Sequence, residues 1–133
     1  MADLVAPLRV AAVAWVQDGA LLLVRKRGTT RFILPGGKLA PGEAPRDGAR
    51  REVREELGVE LAPDALVELG RFSAPAANEP GRTVDATIFT ATLEGAAPRA
   101  EIVELRWHPL ADDQDDLAPL LRLHILPALR ARS

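Results

Sequence analysis

The chain has 133 residues, enough for one domain with a single sizeable core. Hydrophobic residues make up 47% of the sequence and charged residues 27%, which excludes a chain that is disordered throughout. Cysteine is absent, which excludes disulfides, thiolate metal sites and a cysteine nucleophile. The formal net charge of -2 argues against binding of a long nucleic acid, although a local basic pocket could still bind a small phosphorylated ligand.

Neither a membrane span nor a signal peptide is expected. No apolar run approaches the roughly 20 residues that a transmembrane helix needs. Asp3 stands where a signal peptide would carry positive charge. We therefore expect a cytoplasmic protein that has no membrane partner.

The N-terminal third of the chain predicts three strands. Apolar runs at residues 10–16 and 20–24 flank Asp18-Gly19, a dipeptide typical of tight hairpins, so we expect the two runs to pair. A short strand is predicted at residues 31–34, because the Pro35-Gly36-Gly37 segment after it is typical of a turn.

The rest of the chain predicts two helices and three further strands. Residues 45–57 have a helical pattern, with Pro45 in the first turn and Gly58 as the stop. A final amphipathic helix is predicted at residues 117–129, bent or ended by Pro127. The predicted strands are residues 66–72, 83–93 and 102–107, with a loop at 74–82. Without repeats or a linker, residues 1–133 are expected to form one mixed α/β domain.

Three glutamates share one face of the first predicted helix. Glu52, Glu55 and Glu56 are spaced at i, i+3 and i+4, beside the apolar positions that would face the core. Like charges at this spacing destabilise an isolated helix by about 0.2–0.5 kcal/mol per pair, a cost that a divalent cation removes. Carboxylates suit Mg²⁺ or Mn²⁺, and Mg²⁺ held in this way commonly binds substrate phosphates as well. The alternative is a solvated helix whose charges form salt bridges.

Residues next to these glutamates suit the same chemistry. Arg51 stands four residues from Glu55 and can orient a carboxylate through paired hydrogen bonds. Gly36 and Gly37 let the backbone approach a ligand closely, because they carry no Cβ. Lys38 follows them and can contact a phosphate.

The spacing of these residues resembles the signature of the Nudix hydrolases, the MutT-like family. The matching segment, residues 37–59, consists of Gly37, five residues, Glu43, seven residues, and then Arg51-Glu52-Val53-Arg54-Glu55-Glu56-Leu57-Gly58-Val59. Nine positions agree over twenty-three residues, including both aliphatic ones. The resemblance implies a Nudix-fold α/β/α sandwich with a mixed central sheet.

The resemblance also implies Mg²⁺- or Mn²⁺-dependent hydrolysis of a phosphoanhydride bond in a nucleoside diphosphate derivative. The groups that it assigns to the metal are the carboxylates of Glu52, Glu55 and Glu56 and the carbonyl of Gly36. Arg51 would orient these carboxylates during catalysis, and Glu43 would orient the loop. A homodimer is a common state of such proteins, although no residue of this sequence indicates an interface.

The general base differs between members of that family. Glu101 stands six residues before Trp107 and is similar in position to the base that some members carry late in the chain. Glu104 is its competitor, and a glutamate of the 37–59 segment is the third candidate.

The sequence favours one class of small nucleotide substrate and leaves others open. Pro35-Gly36-Gly37-Lys38 and the short chain are similar to members that cleave nucleoside triphosphates to a monophosphate and pyrophosphate. Pro75 stands sixteen residues after Val59, close to a proline of ADP-ribose members, so ADP-ribose or a nucleotide sugar is the alternative. A sensor that binds nucleotide without turnover is the alternative of another class. The residues expected to contact substrate are Arg25, Phe32, Gly37 and Lys38, with Phe32 as the candidate for stacking on a base.

Overall fold

The computed structural model describes residues 6–77, 79–112 and 116–132. The strands and α-helices within these ranges are β1 Leu8–Ala14, β2 Val16–Gln17, β3 Ala20–Lys26, β4 Gly36–Lys38, α1 Pro45–Leu57, β5 Val67–Pro75, β6 Thr83–Thr90, β7 Ile102–Pro109 and α2 Leu126–Arg132, and a 3-10 turn covers Pro63–Ala65. A π-helical turn, Leu121–Ile125, runs directly into α2. In the part of the chain so described, no helix is long and apolar enough to cross a membrane.

The strands form two sheets. The first has the order β4-β1-β6-β5; β1 and β6 run parallel, and the other neighbours run antiparallel. The second has the order β2-β3-β7 and is antiparallel. The first sheet is thus mixed, as expected, and a smaller antiparallel sheet accompanies it.

Successive residues of β3 face opposite layers of the molecule. Leu22 and Val24 belong to the apolar cluster that contains the buried face of α1. Leu21 and Leu23 belong to the cluster that contains the final helix. Because side chains alternate along a strand, the two helices cover opposite sides of the strands. The predicted α/β fold, with helices on both sides of a mixed sheet, is confirmed.

The predicted hairpin is correct at its turn and wrong in its pairing. Asp18 and Gly19 have φ values of 54° and 76°, as a tight hairpin turn requires. However, only Val16–Gln17 pairs with β3, while β1 pairs with β4 and β6 in the other sheet. Both faces of β1 and β3 are apolar, so the sequence contains no alternation that would identify their partners.

The predicted strand at residues 31–34 and the turn after it are also corrected. Phe32 and Ile33 form isolated bridges only, and the strand of this region is β4, Gly36–Lys38. A Cβ at Gly36 would lie 2.3 Å from the carbonyl oxygen of Ala11. Gly36 therefore permits close approach of β4 to β1, a role of glycine other than the predicted turn.

The helices agree better with expectation. α1 covers Pro45–Leu57 as predicted, and Gly58 closes it in the left-handed conformation at φ 71°. The final helix does not end at Pro127 but continues to Arg132. Within the π-helical turn the Leu126 N–H bonds to the Leu121 carbonyl, and this wider turn leaves room for the ring of Pro127.

Candidate active site and metal centre

The three glutamates of α1 lie in three different environments. Glu56 is buried, with 2% of its surface exposed. The Glu52 side chain is largely covered, whereas that of Glu55 is half exposed. Their shared helical face thus runs from the protein interior to solvent.

Arg51 is the centre of the hydrogen-bond network at the start of this face. Its guanidinium donates from Nε and Nη2 to the two carboxylate oxygens of Glu43, at 2.8 and 2.9 Å. It also donates from Nη1 to Glu52 at 2.8 Å and to Glu55 at 3.3 Å, and from Nη2 to the Lys38 carbonyl at 3.1 Å. Arg51 therefore connects α1 to the loop after β4 and fixes the orientation of Glu52.

The ionisation of Glu43 follows from this contact. The paired hydrogen bonds from Arg51, together with the N–H of Ala40, lower the pKa of Glu43 from an ordinary 4.5 to about 2. The same contact raises the pKa of Arg51 above its ordinary value. Both groups are therefore charged at neutral pH.

Glu56 shows the opposite behaviour. Burial raises its pKa from 4.5 to about 8, opposed by the positive charge of Lys26 and by the N–H of Gly36. That N–H donates to Oε1 of Glu56 at 3.1 Å, whereas the buried Oε2 has no hydrogen-bond partner. An unpaired carboxylate oxygen in a dry position is costly unless a cation or proton satisfies it.

The glycine pair forms one wall of this position. A Cβ at Gly37 would lie 2.6 Å from the carboxylate carbon of Glu52. The absence of that Cβ leaves the space that the Glu52 carboxylate occupies beside β4.

The donors of this site fit a hard divalent cation. Carboxylate and backbone oxygens are the ligands that Mg²⁺ and Mn²⁺ prefer, and the unpaired Oε2 of Glu56 is a free donor among them. Among the described residues no three carboxylates or imidazoles are grouped as metal ligands. Arg51 donates to both Glu52 and Glu55 in this arrangement. The groups that could hold the metal are those predicted from the sequence, namely Glu52, Glu55, Glu56 and the Gly36 carbonyl.

The two candidate bases after the 37–59 segment lie in different surroundings. Glu101 precedes β7 and pairs with Lys26 at 3.1 Å, and its charge contributes to the raised pKa of Glu56. Glu104 pairs instead with Arg25 at 2.9 Å, and the alternation along β3 places Arg25 on the face that points away from α1. Of the two, Glu101 is the one whose charge reaches the buried carboxylate.

A pocket of about 330 Å³ opens beside Gly36, Gly37 and Lys38. Its walls are mostly apolar and come from β1, β6, the end of β5 and the start of the final helix. Lys26 lines it, whereas Arg25 does not. The sequence prediction placed Arg25 at the substrate, whereas Lys26 is the basic residue of β3 that lines the pocket; the pairing of β3 with β7 has a register shift between these two residues.

Phe32 is located in the core rather than at the pocket. Its side chain is buried, and the guanidinium of Arg106 lies over its ring at 3.8 Å from the centroid. Phe32 is not among the described residues that line the pocket, so nothing in the structure supports its predicted stacking on a base. The apolar walls around Leu120 and Leu121 are available instead.

Comparisons with known proteins show relatives of this chain. A MutT-like protein of Streptomyces ambofaciens is 29% identical over 128 residues, which cover 92% of this chain and 79% of that protein. The oxidized purine nucleoside triphosphate hydrolase of Mus musculus is 36% identical over 103 residues, covering 75% of this chain and 63% of the mouse protein.

The fold is shared with solved structures. The MutT protein of Methanosarcina mazei Go1 superimposes with a TM-score of 0.79, at 22% identity, over 98% of this chain and 99% of that one. The model of the NUDIX domain matches residues 7–129. The sequence resemblance is thereby confirmed, and the chain belongs to the NUDIX domain family of pyrophosphohydrolases.

Proposed function

We propose that this enzyme hydrolyses a nucleoside or deoxynucleoside triphosphate to the monophosphate and pyrophosphate, with Mg²⁺ or Mn²⁺. Members of the family generally need divalent metal ions. The observation that carries the proposal is a mostly apolar pocket lined by two lysines, Lys26 and Lys38, and by Gly36, whose N–H donates to the buried Glu56. The apolar walls suit a base and sugar, and the lysines suit phosphates.

The chain's own residues supply positioning and proton transfer. Lys26 and Lys38 attract the phosphates, and Arg51 holds Glu52 in place through its 2.8 Å hydrogen bond. A divalent cation, when bound, supplies neutralisation of the phosphates and polarisation of the phosphorus. Glu101 is our choice of base: it accepts a proton from the attacking water as the new P–O bond forms and the anhydride P–O bond breaks.

The second candidate is cleavage of ADP-ribose or a nucleotide sugar. The observation that favours it is Pro75, which lines the pocket at the end of β5. Such substrates would release two monophosphates or a monophosphate and a sugar phosphate, whereas a nucleoside triphosphate releases pyrophosphate. The single-domain organisation, the cytoplasmic location and a homodimer all remain predictions.

An activity panel with identification of products tests the proposal. It contains nucleoside triphosphates, 8-oxo-dGTP, ADP-ribose, nucleotide sugars and dinucleoside polyphosphates, each with Mg²⁺ and with Mn²⁺. We expect a nucleoside triphosphate to yield pyrophosphate. In Glu56→Gln the rate of this reaction should fall by about 100-fold or more. Glu60→Gln, an exposed carboxylate just beyond the helix, is the matched control and should retain activity. Nucleotide binding without any product would favour the sensor instead.

A further inference from the structure

The pocket proposed for the nucleotide is lined by a carboxylate as well as by two lysines. The charged side chains among the described residues that line it are Lys26, Lys38 and Glu79. Oε1 of Glu79 lies 2.6 Å from Nζ of Lys38, and this hydrogen bond lowers the pKa of Glu79. Glu79 is therefore ionised at neutral pH and neutralises Lys38, while its other oxygen, Oε2, lies 3.8 Å from Nη1 of Arg82.

The ion pair joins two separate segments of the chain that both line the pocket. Lys38 ends β4, whereas Glu79 lies in the loop between β5 and β6. In the sheet β1 lies between β4 and β6, and residues of all three strands line the pocket that the pair borders. The loop is closed at its base by the hydrogen bonds of Ala76 N–H to the Arg82 carbonyl and of Arg82 N–H to the Glu79 carbonyl, at 2.9 and 3.1 Å.

We propose that Glu79 is an internal counter-ion that the phosphates of the substrate displace from Lys38. The inference rests on the proposed function, which brings a polyphosphate into this pocket. Both side chains are partly exposed, Lys38 at 61% and Glu79 at 35%, so the pair is weak and easily broken. A triphosphate offers Lys38 several negative charges in place of one, whereas a nucleoside without phosphates leaves the pair closed.

The first test is Glu79→Gln, which keeps the shape of the side chain and removes its charge. We expect the KM for a nucleoside triphosphate to fall by about two- to five-fold, because Lys38 no longer needs to exchange partners. The gain should shrink as salt is added, since the charges involved are partly exposed. Glu94→Gln, an exposed carboxylate outside the pocket, should leave KM as it is. A KM that is unchanged or higher in Glu79→Gln overturns the inference.

A double-mutant cycle separates displacement from simple repulsion between Glu79 and the substrate. Lys38→Met removes the group for which the carboxylate and the phosphates compete. The gain from Glu79→Gln should then disappear in the Lys38→Met background. An equal gain in both backgrounds would mean that Glu79 merely repels the substrate, and the counter-ion role would be wrong.

A binding measurement makes the result independent of turnover. Calorimetric titration with inorganic tripolyphosphate in EDTA, where no hydrolysis takes place, should show tighter binding to Glu79→Gln by a similar factor. Absence of binding to every variant would overturn the inference. Tighter binding in a protein that hydrolyses no nucleotide would contradict the proposed function and leave the counter-ion role standing.

Discussion

Single residues decide which carboxylates of this site are charged. Arg51 lowers the pKa of Glu43 to about 2, and burial raises that of Glu56 to about 8, although both are glutamates within fourteen positions of one another. The sequence indicated that both belong to one site, because the spacing of the 37–59 segment is local information. It could not indicate their opposite ionisation, because burial and hydrogen bonds depend on the folded chain.

The hydrogen bonds between Glu43 and Arg51 make the free energy of unfolding depend on pH in the acid range. A carboxylate with a lowered folded-state pKa contributes stability above its unfolded value, 4.5, and this contribution is lost as the pH falls toward 2. Glu43→Gln should therefore unfold at lower urea concentration than the wild type at neutral pH. The difference between the two should shrink below about pH 4.5, as measured by urea titrations across that range. A difference that stays constant down to the lowest pH would contradict this assignment.

Substitution of Gly37 tests whether the position of the Glu52 carboxylate matters for activity. In Gly37→Ala the new Cβ meets the Glu52 carboxylate, which has to move, and the flexible side chain can do so at small cost to the fold. Activity should fall by about ten- to a hundred-fold, because misplacement of a ligand by about 1 Å is enough for such a loss. The melting temperature should change little. An active Gly37→Ala enzyme would show that the position of Glu52 is not critical.

For the helices and strands, residues close together in sequence predicted an element reliably, whereas the pairing of strands could not be predicted. α1 could be predicted to the residue, because Pro45, the apolar spacing and Gly58 are all near in sequence. β4 could not, since the tight approach of Gly36 to Ala11 involves residues twenty-five positions apart. The division of residues 10–17 between two sheets was missed for the same reason.

Arg106 of β7 contacts the segment just before the final helix. Its guanidinium forms two hydrogen bonds with Asp116, at 2.8 and 3.2 Å, and stacks on Phe32, whose N–H donates to the Asp116 carbonyl. The residues just after this contact, including Leu120 and Leu121, line the pocket. Arg106 therefore positions one wall of the pocket without reaching it.

Arg106→Lys should separate positioning from chemistry. Lysine cannot keep both the paired hydrogen bonds and the stacking, so the wall shifts and KM should rise by about three- to ten-fold. We expect kcat to change less, since the carboxylates of α1 are untouched. Steady-state kinetics measure both, and Arg71→Lys, in the exposed pair with Asp85, is the matched control. A loss in kcat alone would argue against a role in positioning.

For the whole molecule, the proposed metal centre joins parts that are distant in sequence. Gly36 belongs to β4 and Glu56 to α1. Lys26 is the last residue of β3 in the second sheet, and Glu101 directly precedes β7 of that sheet. A ligand bound only by the folded arrangement stabilises the entire chain, by about 2.7 kcal/mol at a hundred times its Kd. Mg²⁺ should thus raise the melting temperature of the wild type. Glu56→Gln should melt like the metal-free wild type, because the amide keeps an acceptor for Gly36, and Mg²⁺ should not stabilise it.

The single residue between β1 and β2 has a consequence for how the chain folds. Trp15 connects a strand of the first sheet to a strand of the second, and its carbonyl accepts the N–H of Leu22 at 3.0 Å. Residues 33–36 make a second such crossing, from the bridge of Ile33 with Val24 to the pairing of Gly36 with Ala12. Neither sheet can separate from the other while its own strands stay paired. Their amide hydrogens should consequently exchange with solvent through one shared, cooperative opening.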